Sequence, residues 1–271
     1  MLATQSIPRP RSSPVTFEEG IPRRWFADLA VPSHIVNGVN LLFPAGERFF
    51  VRSVRHYLDQ IEDPLLREQV KGFFGQEGRH AQAHERFFEV MEAQGYTIAE
   101  FLATYERITY GIIEPKVSPE LRLAVTVALE HYTAILAENV FREGLLDLAH
   151  PTMRGLLLWH AAEEIEHRAV AFDVLQAVAP SYRLRMAGLA MATVALGGFW
   201  IAATVMLLQQ DRKRGERGGF RAFRKVDDRR GAIVQRVFLR GIREYIRRDF
   251  HPSQNDVDGL AEGYLKSMGI V

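Results

Sequence analysis

The 271-residue sequence predicts an all-α protein with a four-helix bundle at its centre. Apolar residues recur at helical spacing through most of the chain, and no convincing run alternates as a half-buried strand does. Proline and N-capping residues divide this pattern into separate helices. Two of these helices carry the spacing Glu-x-x-His, and each is preceded by a helix with a glutamate that can face inward: Glu47 before Glu77 and His80, and Glu130 before Glu164 and His167.

Capping and proline residues set the starts of the first predicted helices. A short helix is expected from about Ser33, and Pro44 opens a second helix that runs to about Gln60. The third, over residues 64–95, begins with Asp63 as its N-cap and a proline at the first helical position.

Similar signals divide the next part of the chain. Thr97 is expected to cap a segment that ends near Pro115. Helices over residues 119–148 and 151–180 should follow, each opened by a proline, and the second should stop at another proline. The four key glutamates then fall on four different helices: Glu47, Glu77, Glu130 and Glu164.

The spacing of these residues suits metal binding. Residues three or four apart lie on one face of a helix, so Glu77 and His80 can reach the same ion. His160, Glu164 and His167 form a similar stripe at i, i+4 and i+7. His160 is therefore either a further metal ligand or a buried core histidine.

The facing helices would supply the remaining carboxylates, Glu47 and Glu130. Glu138 lies two turns beyond Glu130 and competes with it for this role. Four carboxylates with two or three imidazoles can hold two divalent ions inside a bundle. Burying the same carboxylates without cations would cost much free energy. The pattern predicts a two-metal site.

Composition narrows the chemistry further. The absence of cysteine excludes disulfides, iron–sulfur clusters and thiolate-bound zinc. Histidine and carboxylate ligands favour iron, with manganese or zinc as alternatives. The formal net charge of +1 predicts no nucleic-acid partner. Residues 1–25 lack the apolar core of a signal peptide and are expected to form a disordered arm before the bundle domain at 26–180.

A hydrophobic region over 181–210 follows the bundle. Its centre, residues 186–208, contains 23 residues without a charge, and Arg183 and Arg185 precede it. This composition favours a membrane-associated helix that either spans the bilayer or lies in one leaflet. The protein is accordingly expected on the cytoplasmic side of the membrane or in the cytoplasm. The alternatives are a buried helix or the interface of a homo-oligomer.

The C-terminal region over 211–271 is expected to hold a basic linker, an amphipathic helix at about 232–247 and a polar end. The linker would bind anionic lipid headgroups or act as a solvated connector.

Other residues near the motifs have predicted roles. His84 shares the inward face with His80, and Glu163 is next to Glu164. If the protein is a hydrolase, His84 or Glu163 would act as the general base. His131 should point away from the site. Two arginines could pair with the site carboxylates from outside, Arg79 and Arg168.

Three stretches, FPAGERFF, FFGQEGRHAQAHERF and WHAAEEIEHRAVAFDV, resemble the bacterial family of predicted metal-dependent hydrolases. The paired Glu-x-x-His motifs resemble the ferritin-like di-iron carboxylate superfamily, which implies a ferritin-like four-helix bundle. The stripe around Glu164 also resembles the three-ligand helix of the di-iron arylamine N-oxygenases. That likeness implies a complete ligand set of seven residues: Glu47, Glu77, His80, Glu130, His160, Glu164 and His167.

A ligand set rich in both histidine and carboxylate on a four-helix scaffold favours a di-iron oxidase or oxygenase that uses molecular oxygen and an electron donor to oxidise a small or lipid-like substrate. One alternative is a hydrolase in which two metal ions activate water. The other is iron binding or storage without catalysis.

Overall fold

The computed structural model describes residues 6–18, 20–216 and 239–270. Within these ranges the chain forms helices and turns without a β-strand, apart from one isolated bridge between Phe26 and Ala149. The all-α prediction is confirmed. The helices are α1 (Ala30–Asn40), α2 (Phe43–Arg55), α3 (Pro64–Ala93), α4 (Ala99–Glu106), α5 (Pro119–Arg142), α6 (Pro151–His167), α7 (Val170–Val178), α8 (Tyr182–Lys213), α9 (Arg240–Tyr245) and α10 (Asp258–Ser267).

Two of the predicted caps start the long helices α3 and α5. The side chain of Asp63 accepts a hydrogen bond of 2.8 Å from the amide of Leu65, and Ser118 accepts one of 3.3 Å from Leu121. Thr97 does not cap a helix. Its amide and hydroxyl instead donate to the side-chain oxygen of Gln210 on α8.

Two predicted helix ends are wrong. The helix expected over 151–180 is divided into α6 and α7 at Arg168 and Ala169, and the Arg168 side chain donates to the carbonyl of Ile165 at 2.6 Å. The helix expected to reach 148 ends at Arg142, because the chain turns through Gly144 with φ of +58°.

Other segments add to the expected pattern. After α4 the chain continues as a π-helical segment, Arg107–Ile113, and a 3-10 turn, Glu114–Lys116. The end of the chain, for which only a polar composition was expected, contains α10. Of the helix expected at 232–247 the structure describes only α9, and the basic linker over 217–231 lies outside the described residues.

Four helices enclose the predicted site. Helix α2 packs on α3, and α5 packs on α6, while α2 also contacts α5 and α3 contacts α6. This closed ring surrounds the stripe of motif residues. Helix α8 lies outside the ring along α5 and α1. A ferritin-like type for this bundle stays a prediction.

The N-terminal segment is ordered against the bundle in its described part, so the prediction of a disordered arm is wrong for residues 6–18 and 20–25. The carbonyl of Pro8 lies 2.2 Å from where a Cβ on Gly72 would be, and Pro10 lies 2.3 Å from the same point on Gly75. The two glycines, three residues apart on α3, form a groove that admits the segment. Trp25 is buried in the core beyond it.

Candidate metal centre

The predicted ligands converge inside the ring of four helices. Helix α2 supplies Glu47, α5 supplies Glu130, and α3 and α6 supply the rest. Because each residue lies on the buried stripe of its helix, all of them are at most 4% exposed: Glu47, Glu77, His80, Glu130, His160, Glu164 and His167.

Three carboxylates lie close to the imidazole of His167. Its Nε2 atom lies 3.1 Å from Glu77 Oε1, 3.3 Å from Glu130 Oε2 and 3.4 Å from Glu164 Oε1. These residues belong to α3, α5 and α6. The two sequence motifs, which are 87 residues apart between Glu77 and Glu164, therefore meet at one point.

Glu164 links this group to a second one. Its Oε1 atom lies 2.8 Å from His160 Nε2 and 3.6 Å from His80 Nδ1, and His160 Nε2 lies 3.8 Å from Glu47 Oε1. One carboxylate oxygen is thus within 3.6 Å of three imidazoles. Sets of three potential ligand atoms within 4.8 Å of one another are Glu47–His84–His160, His80–His160–Glu164, Glu47–Glu77–His80 and Glu77–Glu164–His167.

Most of the inward-facing polar atoms have no hydrogen-bond partner. Both carboxylate oxygens of Glu47, Glu77 and Glu130 are buried and accept no hydrogen bond, although each residue has one oxygen within 4 Å of a histidine nitrogen. Glu164 Oε2 and His80 Nδ1 are likewise buried without a hydrogen-bond partner. Buried polar atoms left in this way cost free energy unless a ligand satisfies them. The oxygen and nitrogen donors suit divalent cations such as iron, manganese or zinc, so the residues fit a metal centre.

The pKa values indicate which ligand side chains are protonated when no cation is bound. Burial and the neighbouring carboxylates raise the pKa of Glu47 and Glu77 well above the usual value, and burial raises that of Glu130 to about 7. The imidazoles beside Glu164 outweigh its burial and hold its pKa well below normal, while Glu164 and Glu130 raise the pKa of His167. The ligands therefore retain protons that cations would displace.

A second set of side chains fixes the two histidine rings. His80 Nε2 lies 3.0 Å from Glu163 Oε2, and His167 Nδ1 lies 2.9 Å from Gln76 Oε1. Each contact occupies the outer ring nitrogen and leaves the other nitrogen facing the carboxylates. Contacts of this kind orient imidazoles for metal binding.

Arg11, from the N-terminal segment, joins these supports. Its amide donates to Glu163 Oε1 at 3.1 Å, and its guanidinium donates to both oxygens of Glu166 at 2.6 and 2.9 Å. The side chain of Gln76 donates to Glu166 Oε2 at 2.7 Å. Arg11 thereby connects, through two carboxylates, to the supports of His80 and His167.

The two arginines that were expected to pair with the site carboxylates contact other residues. Arg79 donates to the hydroxyl of Ser12, and Arg168 pairs with Asp258 on α10. Gln76 adjoins Glu77 in the motif and could have been found there. Nothing in the local sequence around Arg11 distinguishes it.

The two residues predicted as general bases, His84 and Glu163, lie on different sides of the ligand cluster. His84 Nε2 lies 2.6 Å from His160 Nδ1, at the edge of the ligand cluster. Glu163 lies on the outer side of His80 and accepts from Arg11, and burial raises its pKa to about 8 although Arg11 lowers it.

Glu138 and His131, on the same helix as Glu130, have contacts away from the ligand cluster. Glu138 pairs with Arg142 at 2.9 Å, so Glu130 is the carboxylate that α5 contributes to the cluster. His131 Nε2 lies 2.9 Å from the carbonyl of Gly241, away from the site as expected.

Fold and site together define an all-α protein with a buried carboxylate–histidine centre able to bind metal ions. The model of a family described as predicted metal-dependent hydrolase matches residues 9–256. The chain belongs to this family. No curated protein and no solved structure matches the chain. Membership of the ferritin-like superfamily and kinship with the N-oxygenases stay predictions.

Proposed function

We propose that the protein is a hydrolase whose buried centre holds two divalent cations. The observation that carries this proposal is the set of buried carboxylates, with oxygens that accept no hydrogen bond, at the meeting point of four helices. The family description supports hydrolysis over the oxidation that the ligand pattern first suggested. Glu164, whose Oε1 atom lies close to three imidazoles, would be one of the residues that hold the cations.

Divalent cations in such a site lower the pKa of water and polarise a carbonyl or phosphoryl group. The protein would hold them with Glu77, Glu130 and His167 on one side. Glu47 and His160 would contribute on the other. Burial excludes bulk water and strengthens every charge interaction within the cluster.

The contact between His84 and His160 suggests how His84 contributes. If His160 binds a cation through Nε2, its proton lies on Nδ1 and is donated to His84 Nε2. Burial lowers the pKa of His84 well below normal, so the ring is neutral and its own proton lies on Nδ1. That atom has no partner among the described residues. We therefore infer that His84 donates a hydrogen bond to a substrate oxygen rather than acting as the base.

Glu163 is better suited to orienting His80 than to accepting a proton from water, since its oxygens already contact His80 and Arg11. These contacts therefore argue against Glu163 as the general base, a role that was predicted from the sequence.

The test begins with the metal content of the purified protein, measured by mass spectrometry. Protein loaded with zinc or manganese is then incubated with carboxylic esters and phosphodiesters. We expect hydrolysis that disappears when Glu77 is replaced by Gln. Stoichiometric metal binding without hydrolysis of either class would contradict the proposal for these bond types, and no metal binding would overturn it.

Oxygen activation is the second candidate because three imidazoles accompany four carboxylates in the cluster. Ferrous protein prepared without air and then exposed to oxygen should consume it in proportion to bound iron if this reading is right. An unchanged spectrum and no oxygen uptake would exclude it.

A further inference from the structure

Helix α8 exposes an apolar stripe. Residues 186–208 contain no charged side chain, and only 17% of the most apolar 18-residue window of the helix is buried. Val194 is 77% exposed and Ile201 67%. Exposed residues recur every three or four positions along one side of the helix: Ala187, Ala190, Val194, Gly198, Ile201 and Val205. By length and composition alone, α8 could cross a membrane.

The first end of α8 is fixed to the rest of the protein. Arg185 is buried, and its guanidinium carbon lies 5.3 Å from the ring centroid of Tyr245 and 5.7 Å from those of Phe172 and Phe250. It also donates to the backbone carbonyl of Arg247. A buried guanidinium with these contacts cannot be withdrawn without losing cation–π contacts and a charged hydrogen bond.

The second end is fixed as firmly. Asp211 is buried, and its oxygens lie 2.8 Å from Arg23 NH2, His34 Nε2 and the hydroxyl of Tyr96. The 32 residues of α8 span about 48 Å. If the helix crossed a bilayer, the bundle fixed to both of its ends would be drawn into the hydrocarbon. Only an orientation parallel to the surface leaves the bundle in water.

The charges around the stripe indicate what covers it. Exposed cations flank both ends, with Arg183 before the stripe and Arg212, Lys213 and Arg214 after it. A second copy packed on the stripe, parallel or antiparallel, would bring like charges together at its ends. A surface with anionic headgroups around an apolar interior matches both the stripe and its basic ends.

An apolar pocket opens beside the stripe. It has a volume of about 80 Å³ and lies between α8, at Met191 and Leu196, the π-helical segment, at Ile113, and α5, at Leu129. Ile112, in the same π-helical segment, is 40% exposed. The pocket thus lies between α8 and the π-helical segment, and each of these two elements also exposes apolar side chains.

We propose that the stripe of α8 and the adjoining π-helical segment bind in the plane of an anionic lipid bilayer, with the pocket receiving an apolar chain from it. This inference does not depend on hydrolysis at the metal centre. It replaces a spanning helix with an interfacial one.

Binding is tested by sedimenting the full chain with vesicles of phosphatidylcholine and phosphatidylglycerol in equal parts. We expect binding that falls at least tenfold when Val194 and Ile201 are both replaced by Glu. Replacing Leu148, which is 47% exposed elsewhere, by Glu is the matched control and should leave binding unchanged. Circular dichroism and metal content verify that each variant is folded. Equal loss in the control would overturn the assignment of the surface.

Depth distinguishes the possible orientations. The chain has no cysteine, so Ala187→Cys, Gly198→Cys and Val205→Cys each give one labelling site. Fluorophores at all three positions should be quenched to the same extent by lipids brominated at a shallow position. A central position, 198, that lies deeper than both ends would show a spanning helix and overturn the proposal. If the protein does not bind vesicles but forms a dimer that the Val194 and Ile201 replacements dissociate, the stripe is an interface between copies instead.

Discussion

Two buried clusters of histidine and carboxylate differ in how their polar atoms are satisfied. In the cluster around Asp211, one carboxylate contacts a guanidinium, an imidazole and a hydroxyl, each at 2.8 Å. In the metal centre, the six carboxylate oxygens of Glu47, Glu77 and Glu130 accept no hydrogen bond, and only histidine nitrogens lie near them as ion-pair partners. The same residue types therefore form a closed structural contact in one region and an open binding site in the other.

Because the two clusters differ in how their carboxylates are hydrogen-bonded, burial and composition alone do not identify a metal site. Arg23 supplies positive charge to Asp211, whereas Arg11 reaches only the outer carboxylates around the metal centre. The inner carboxylates must take their positive charge from protons or from cations. Variants in the two clusters should consequently have opposite effects on stability and on metal binding.

The largest effect on stability is expected at Asp211. Its replacement by Ala leaves His34 and Arg23 without their partner and should lower the free energy of unfolding by about 3–5 kcal/mol. Urea unfolding of the metal-free protein measures this. Metal stoichiometry should not change, and a loss of bound metal would contradict the separation of the two clusters.

The largest effect on metal binding is expected at Glu77. Gln keeps the shape of Glu77 but removes the charge, and affinity should fall by more than the roughly 10–100-fold typical of residues that only support a ligand. Competition with a chelator measures the affinity. Unchanged affinity would exclude Glu77 as a ligand.

A smaller loss is expected at Arg11. Its replacement by Ala frees Glu163 and Glu166, loosens the supports of His80 and His167, and should weaken metal binding about 10–100-fold. Arg9→Ala is the matched control, because Arg9 contributes only its backbone carbonyl to this network. Equal losses in the two variants would refute a specific role for Arg11.

Metal affinity should also rise with pH. Cations compete with protons on Glu47 and Glu77, whose pKa values burial raises, and on Glu130, whose pKa is about 7. These groups lose their protons as pH increases, so affinity should grow by up to about tenfold per unit for each proton displaced. Calorimetry in two buffers of different ionisation enthalpy counts the released protons. No proton release near neutral pH would contradict the raised pKa values.

The smallest effect separates the clusters most directly. Glu77→Gln in metal-free protein removes a carboxylate from a crowded group and should leave stability unchanged or raise it by about 1 kcal/mol. Thermal unfolding without metal, compared with Asp211→Asn, measures the contrast. A destabilisation as large as that of the Asp211 variant would make Glu77 a structural residue.

The sequence by itself determined the all-α fold, the starts of α3 and α5, and the candidate ligands. Helical periodicity and N-caps are local, so the positions of Glu77, His80, Glu164 and His167 on two inward stripes follow from spacing alone. The same spacing puts His160 on the stripe of Glu164, and the structure places it beside Glu164 and Glu47.

Long-range contacts in the folded protein show which residues support the ligands and which side chains hold the two ends of α8. Arg11 reaches Glu163 and Glu166 from more than 150 positions away, through a groove formed by Gly72 and Gly75, and no local pattern encodes such a contact. The hydropathy of α8 is equally compatible with a spanning and a surface helix, because composition does not record which side chains fix its ends. Long-range contacts bring these residues together, and their chemistry depends on the partners they meet.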